Sequence, residues 1–126
     1  MITHDVYGGL GNQLFQIFTT IAISLKSGYS FFFTYKPVIL DQDTHRHAYW
    51  DSFLKSLDPF VVHPDASNSF LSWERIVVKE PENHEFFEIV PKHVHSLNLI
   101  RDFGEETIEV VYQLTGFFQS YKYYFL

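Results

Sequence analysis

The sequence contains no cysteine, and this absence excludes two kinds of site. A chain without cysteine has neither the disulfide scaffold of small secreted domains nor a thiolate ligand for zinc, which fits a reducing compartment. Basic residues are also few, because nine lysines and arginines stand against fifteen acidic residues and leave a formal net charge of −6. Nucleic acid is bound through basic patches that neutralise its phosphates, so we expect no nucleic-acid partner.

The chain also lacks an apolar run long enough to cross a membrane, which takes about 20 residues. The apolar stretch 14–25 is interrupted by polar residues, namely Gln16, Thr19, Thr20 and Ser24. It follows glycines and not the basic flank that precedes the apolar part of a signal peptide. We therefore expect a cytoplasmic location, or a peripheral one at a membrane.

Apolar and aromatic residues are plentiful. Hydrophobic residues make up 46% of the 126 residues, which is too many for a disordered chain and enough for one modest domain with its own core. Aromatic residues make up 19%, and their rings need burial in this core or against a partner. No repeat, linker or low-complexity tract divides the chain, so we expect a single α/β domain over residues 1–126.

The first 35 residues predict a strand, a tight turn, a helix and a second strand. The helix is predicted from apolar residues at helical spacing, which are Leu14, Phe18, Ile21 and Leu25. Gly28 follows at the position where helices often end in a left-handed residue. The three phenylalanines at 31–33 predict a strand in the interior of a sheet. This βαβ order is typical of parallel sheets and of the α/β class.

The rest of the chain is predicted in coarser terms. We expect a loop over 37–47 and a short helix over 49–57 with Trp50, Phe53, Leu54 and Leu57 on one face. Strands are predicted at 74–80, 86–90 and 110–115. The last residues, 117–126, are aromatic and apolar, whereas chain ends are usually polar and frayed. Such a composition is typical of a segment buried inside a larger core, so we expect this chain to be the N-terminal part of a larger protein.

Residues 8–16, with the sequence GGLGNQLFQ, carry the chemistry of a binding site. Glycine lets the backbone come close to a ligand, and a glycine turn before a helix directs free N–H groups at it. Side-chain amides both donate and accept hydrogen bonds, so they can hold a polar ligand at the start of the helix. The candidate substrate-binding residues are therefore Gly9, Gly11, Asn12 and Gln13.

Other sites receive less support from the residues. A dinucleotide fingerprint would need a third small residue where Leu14 stands and an acid near Thr34, Tyr35 or Lys36. Histidine pairs at 45/47 and 93/95 have no third ligand in a zinc pattern, so a surface location is favoured and no metal is expected. Acidic pairs at 41/43, 80/82 and 105/106 lie in polar stretches and indicate solvated surface.

Two segments, one near each end of the chain, resemble one known family. Residues 8–16 resemble the N-terminal motif of the α-1,2-fucosyltransferases of glycosyltransferase family 11. Residues 114–125, LTGFFQSYKYYF, resemble the strand-and-turn segment that this family carries before its donor-binding motif. The stretch between them matches only in its order of elements.

This resemblance implies a Rossmann-like half of a GT-B fold, in which two domains face each other across a cleft. It implies transfer of fucose from GDP-fucose to the 2-hydroxyl of a galactoside, with inversion and without a metal or other cofactor. Asn12 would contact the donor sugar or the acceptor, and Gly9 and Gly11 would allow its close approach. Gln13 would be a further contact. The catalytic residue is not indicated.

One hallmark of the family is missing from these 126 residues. Its His-x-Arg-x-x-Asp motif, whose arginine neutralises the donor diphosphate, does not occur. We therefore expect the acceptor-side half of such an enzyme, truncated before its donor-binding domain and inactive alone. Two alternatives stay open. One is a non-catalytic module that holds a glycan or nucleotide at the same turn, and the other is a half-domain that needs a partner chain against its aromatic end.

Overall fold

A five-stranded parallel sheet forms the centre of the fold. The computed structural model describes residues 1–41, 44–80 and 109–119. Along the chain the elements are β1 (Ile2–His4), α1 (Leu10–Ser27), β2 (Phe31–Thr34), β3 (Val38–Asp41), β4 (Thr44–His47), a 3-10 helix (Lys55–Phe60), β5 (Val61–Val62), a second 3-10 helix (Ser69–Ser72), β6 (Glu74–Lys79) and β7 (Val110–Thr115). The sheet has the order β5-β2-β1-β7-β6, and each pairing in it is parallel. The predicted α/β class is confirmed.

The predicted βαβ unit is present at the start of the chain. Strand β1 leads through α1 to β2, and the two strands pair in parallel with Ile2 opposite Phe31. Helix α1 ends at Gly28, whose φ of +79° is left-handed and whose N–H donates to the Ser24 carbonyl at 2.9 Å. Strand β2 lies between β5 and β1, as the three consecutive phenylalanines predicted.

The buried face of α1 is different from the predicted one. Of the predicted apolar stripe, Leu25 is 80% exposed and Phe18 is 49% exposed. Polar residues point inward instead, and the buried ones are Gln13, Gln16, Thr19, Thr20, Ser24 and Ser27. Burying them is tolerated where hydrogen bonds replace those lost to water, as for Ser24 Oγ, which donates to the Tyr29 carbonyl at 2.5 Å.

Two local predictions between β2 and β5 were wrong. The predicted loop 37–47 contains the antiparallel hairpin of β3 and β4, in which Val38 lies opposite His47. The hairpin forms because β3 is rich in β-branched and apolar residues, and its Ile39 is buried in the core. Instead of a helix over 49–57 there are turns followed by the 3-10 helix, because the N–H groups of Ser52 and Leu57 donate only three residues back, to the carbonyls of Tyr49 and Leu54.

The core lies between the sheet and α1. One cluster contains Ile2, Ile23 and Leu114, and a second contains Ile17, Phe33, Ile39, Trp50 and Leu54. Because side chains alternate along a strand, the residues between these core positions project from the opposite face of the sheet. That second face carries Thr3, Asp5, Phe32, Thr34, Arg75 and Gln113.

Four predictions fall on parts of the chain that are not described. The candidate strand 86–90, the histidine pair 93/95, the acidic pair 105/106 and the last residues of the aromatic end, 120–126, lie outside the described residues, as do Asp43 and Glu82 of the other acidic pairs. No helix within the described residues is both long enough and apolar enough to cross a membrane.

Candidate functional site

The chain reverses its direction of travel across the sheet at the central strand β1. From β1 it passes through α1 to β2 on one side, and it later returns to β7 on the other side. In open parallel sheets, ligands bind outside the carboxyl ends of the strands at such a switch point. Two segments meet there: the turn 5–9 after β1, and residues 116–119 after β7.

Gly8 gives the turn its shape. Its φ of +87° lies in the left-handed region, and an added Cβ would stand 3.1 Å from Cβ and Nδ2 of Asn12. Gly9 is the N-cap residue and forms no side-chain capping bond, while its carbonyl accepts the Gln13 N–H at 2.9 Å. The first N–H groups of an α-helix have no partner inside the helix, so this turn offers donors to a ligand.

The two buried amides hold the turn in place. Gln16 is 0% exposed, and its Oε1 accepts the Tyr7 N–H while its Nε2 donates to the Tyr7 carbonyl, both at 2.9 Å. Gln13 is 2% exposed and donates through Nε2 to the carbonyls of Gly8 and His47, each at 2.9 Å. Both hydrogens of the Gln13 amide are therefore used by backbone carbonyls, which gives this predicted site residue a structural role.

Asn12 lies at the surface of the site. Its Oδ1 accepts a hydrogen bond from Nε2 of Gln119, so the two segments that stood out in the sequence meet at these amides. Phe117 packs on Tyr7 with ring centroids 4.8 Å apart, and Phe117 is 37% exposed beside the turn. The site thus offers amides next to an aromatic surface, a combination suited to a ligand with both hydroxyls and an apolar face.

The space beside the two predicted glycines is open. A Cβ added to Gly9 or to Gly11 would find no described atom within 4 Å. Neither glycine has a positive φ, so the conformational need for glycine lies at Gly8. Gly8 therefore shapes the turn, while the predicted site residues Gly9 and Gly11 leave open space beside it.

The segment after β7 is fixed by two polar contacts. The ring of His4 hydrogen-bonds through Nε2 to the Gly116 carbonyl at 2.8 Å. Glu80 Oε2 accepts the Phe118 N–H at 2.7 Å. Gly116 and Phe118 both have positive φ, at +129° and +54°, so the chain turns sharply here. Sequence reasoning recognised only that Gly116 ends the strand.

His4 is almost completely buried beneath this turn. Because a carbonyl only accepts, Nε2 must carry the hydrogen, and Nδ1 is buried with no hydrogen-bond partner in the described part of the chain. Burial lowers the pKa of His4 below its ordinary value, since the charged ring would lose hydration, while the hydrogen bond to Gly116 acts in the opposite direction.

This burial predicts a loss of stability in acid. Unfolded His4 takes up a proton near pH ~6.5, and the folded protein does so only at lower pH, so the free energy of unfolding falls as the pH drops below about 6.5. His4→Gln keeps a donor for the Gly116 carbonyl but does not titrate. We expect it to make urea-unfolding free energies depend less steeply on pH between about pH 8 and about pH 5.

His45→Gln, at an exposed position of β4, controls for the loss of an imidazole. Equal pH dependence in the wild-type protein and the His4 variant would contradict the assigned role of His4.

The comparisons with known proteins return no relative. No family model, curated protein or solved structure matches the chain. Within the ranges that the structure describes, no group of three or more His, Asp or Glu side chains is arranged to hold a metal ion. Function is therefore inferred from the geometry of the turn and from the resemblance of the two end segments.

Proposed function

We propose that this chain is the acceptor-side unit of a GT-B-type α-1,2-fucosyltransferase. The observation that carries the proposal is the glycine–amide turn GGLGNQLFQ at the carboxyl end of the central strand, with Asn12 beside Gln119. In the family that these segments resemble, the corresponding turn lies at the substrate cleft. The reaction would transfer fucose from GDP-fucose to the 2-hydroxyl of a galactoside with inversion, without a metal.

In this proposal the turn binds and orients a sugar. The Asn12 amide exchanges its hydrogen bond with Gln119 for hydroxyls of the ligand, and exposed Phe117 lies against the apolar face of the sugar. Gly9 and Gly11 leave the space for its approach. Gln13 and Gln16 keep the turn in position without touching the ligand.

The diphosphate of the donor needs a separate site. The 126 residues contain no His-x-Arg-x-x-Asp motif, so the proposal assigns the binding of GDP to a second unit, on a longer chain or on a partner chain. Without that unit the leaving group has no arginine to neutralise its charge, and we expect no transfer to lactose. Robust transfer by the 126-residue chain alone would overturn this division of the site.

Asn12→Ala tests the sugar contact. Losing the hydrogen bonds of one amide costs about 1–2 kcal/mol, so we expect affinity for lactose or GDP-fucose to fall about tenfold in calorimetric titrations. Asn68→Ala is the matched control, because Asn68 is exposed and forms no side-chain cap. Unchanged affinity for both ligands in Asn12→Ala would remove Asn12 from the site.

A non-catalytic binding module is the second candidate. The groups in contact around the turn are mostly amides and aromatic rings. The titratable His4 is buried, and the Glu80 carboxylate accepts the Phe118 N–H. Such a set favours binding over acid–base chemistry. Glycan binding that persists while no donor-binding unit restores transfer would support this candidate over the enzyme.

A further inference from the structure

A second concave site lies on the face of the sheet opposite α1. It is a cavity of about 290 Å³, lined by Thr3, His4, Asp5, Thr34, Lys36, Arg75 and Gln113. Strand alternation places four of these residues, because Thr3, Thr34, Arg75 and Gln113 lie between the core positions of their strands and project to this side. The cavity adjoins the turn 5–9 after β1, because Asp5 belongs to both.

Two cations and one carboxylate lie at this cavity. Lys36 Nζ is 2.6 Å from Asp5 Oδ1, and both side chains are about half exposed, at 45% and 60%. The guanidinium of Arg75 donates to Gln113 Oε1 at 3.0 Å and lies 5.9 Å from the centre of the Phe32 ring. The cavity thus carries an excess of one positive charge, in a chain whose formal net charge is −6.

The neutral polar groups of the cavity add donors. Thr3 Oγ1 is occupied, since it donates to the Phe32 carbonyl at 2.7 Å. Thr34 Oγ1 and Gln113 Nε2 have no hydrogen-bond partner among the residues that the structure describes. A hydroxyl, an amide and an already oriented guanidinium form a donor set that matches the oxygens of a phosphate or carboxylate.

We propose that this cavity binds the oxyanion group of a small metabolite, a phosphate monoester or a carboxylate. Arg75 receives the oxyanion in bidentate fashion, and Lys36, Thr34 and Gln113 complete its shell. A volume of about 290 Å³ is near the lower end for small-molecule sites and suits a small metabolite. Asp5 competes with the ligand for Lys36 and thereby limits affinity. The binding of an oxyanion here does not rest on the proposed transferase function.

The test is calorimetric titration of the 126-residue chain at constant ionic strength with three probes: inorganic phosphate, glucose 6-phosphate and succinate. Saturable binding is expected for the phosphates, for succinate or for both, and the pattern distinguishes the two oxyanions. Arg75→Gln and Lys36→Gln should each weaken binding about tenfold, because each removes a charge-assisted hydrogen bond. Asp5→Asn should tighten it about threefold by releasing Lys36.

Lys55→Gln is the matched control, since it removes an exposed lysine elsewhere in the chain. Thr34→Val serves as a further variant should Arg75→Gln fail to fold, and it should weaken binding without changing charge. The proposal is overturned if no probe binds saturably, or if Lys55→Gln weakens binding as much as Lys36→Gln. Tightening or no change in Arg75→Gln would overturn it as well.

Discussion

Gly116→Ala is expected to lower the free energy of unfolding by about 2–4 kcal/mol. Gly116 has a φ of +129°, where an alanine is strained, and its added Cβ would stand 2.5 Å from Cβ and 2.6 Å from Oε2 of Glu80. Glu80 cannot move away freely, because its Oε2 accepts the Phe118 N–H at 2.7 Å. Backbone strain and overpacking therefore act together at this position. Urea unfolding followed by circular dichroism measures the change.

Gly11→Ala is the matched control for this prediction. Gly11 lies in the first turn of α1, and a Cβ there would find no described atom within 4 Å. Alanine has the higher helix propensity, so this variant should be unchanged or more stable by up to about 1 kcal/mol. Equal stability of Gly116→Ala and the wild-type protein would show that the turn after β7 does not need glycine.

Gln16→Leu is expected to cost about 2–4 kcal/mol of unfolding free energy. The side chain of Gln16 is fully buried and makes two hydrogen bonds to the backbone of Tyr7. Leucine fills a similar volume but offers neither a donor nor an acceptor, so the cost reflects the polar groups and not a cavity. Because Tyr7 directly precedes the glycine turn, ligand affinity at the turn should fall together with stability.

Thr19→Val controls for polar burial in the same helix. Thr19 is also fully buried, but its Oγ1 has no hydrogen-bond partner within the described ranges. Removing an unsatisfied hydroxyl costs no hydrogen bond, so the variant should be as stable as the wild-type protein or more stable. If both variants lost the same stability, the loss in Gln16→Leu would reflect general repacking of α1.

The sequence predicted the elements whose signals are local. The βαβ order, the end of α1 at Gly28 and the strands β6 and β7 follow from glycine positions and from apolar runs. The buried face of α1 could not be predicted. The spacing of apolar residues predicts a helix, but it does not show which side of the helix packs on the sheet. Inward-facing glutamines are stable only when backbone groups lie within reach, and such partners depend on the turn and on the hairpin of β3 and β4.

The same limit applies to the candidate site. Residues 8–16 and 114–119 could each be selected from their glycines, amides and aromatic residues. Their contact through Asn12 and Gln119, and the role of His4 beneath Gly116, required the pairing of β1 with β7. The cavity of Lys36 and Arg75 gives no sequence signal, since its residues come from separate strands and share only one face of the sheet.

The pairing of β1 with β7 also determines when this protein can fold. The Met1 amino group donates to the Val110 carbonyl at 3.3 Å, across 109 positions of the chain. During synthesis the N-terminal strand β1 leaves the ribosome long before its partner β7 exists, with its apolar positions exposed. Contacts this distant in sequence carry a large loop-closure cost and slow folding. We therefore expect the pairing of β1 with β7 to form late in folding.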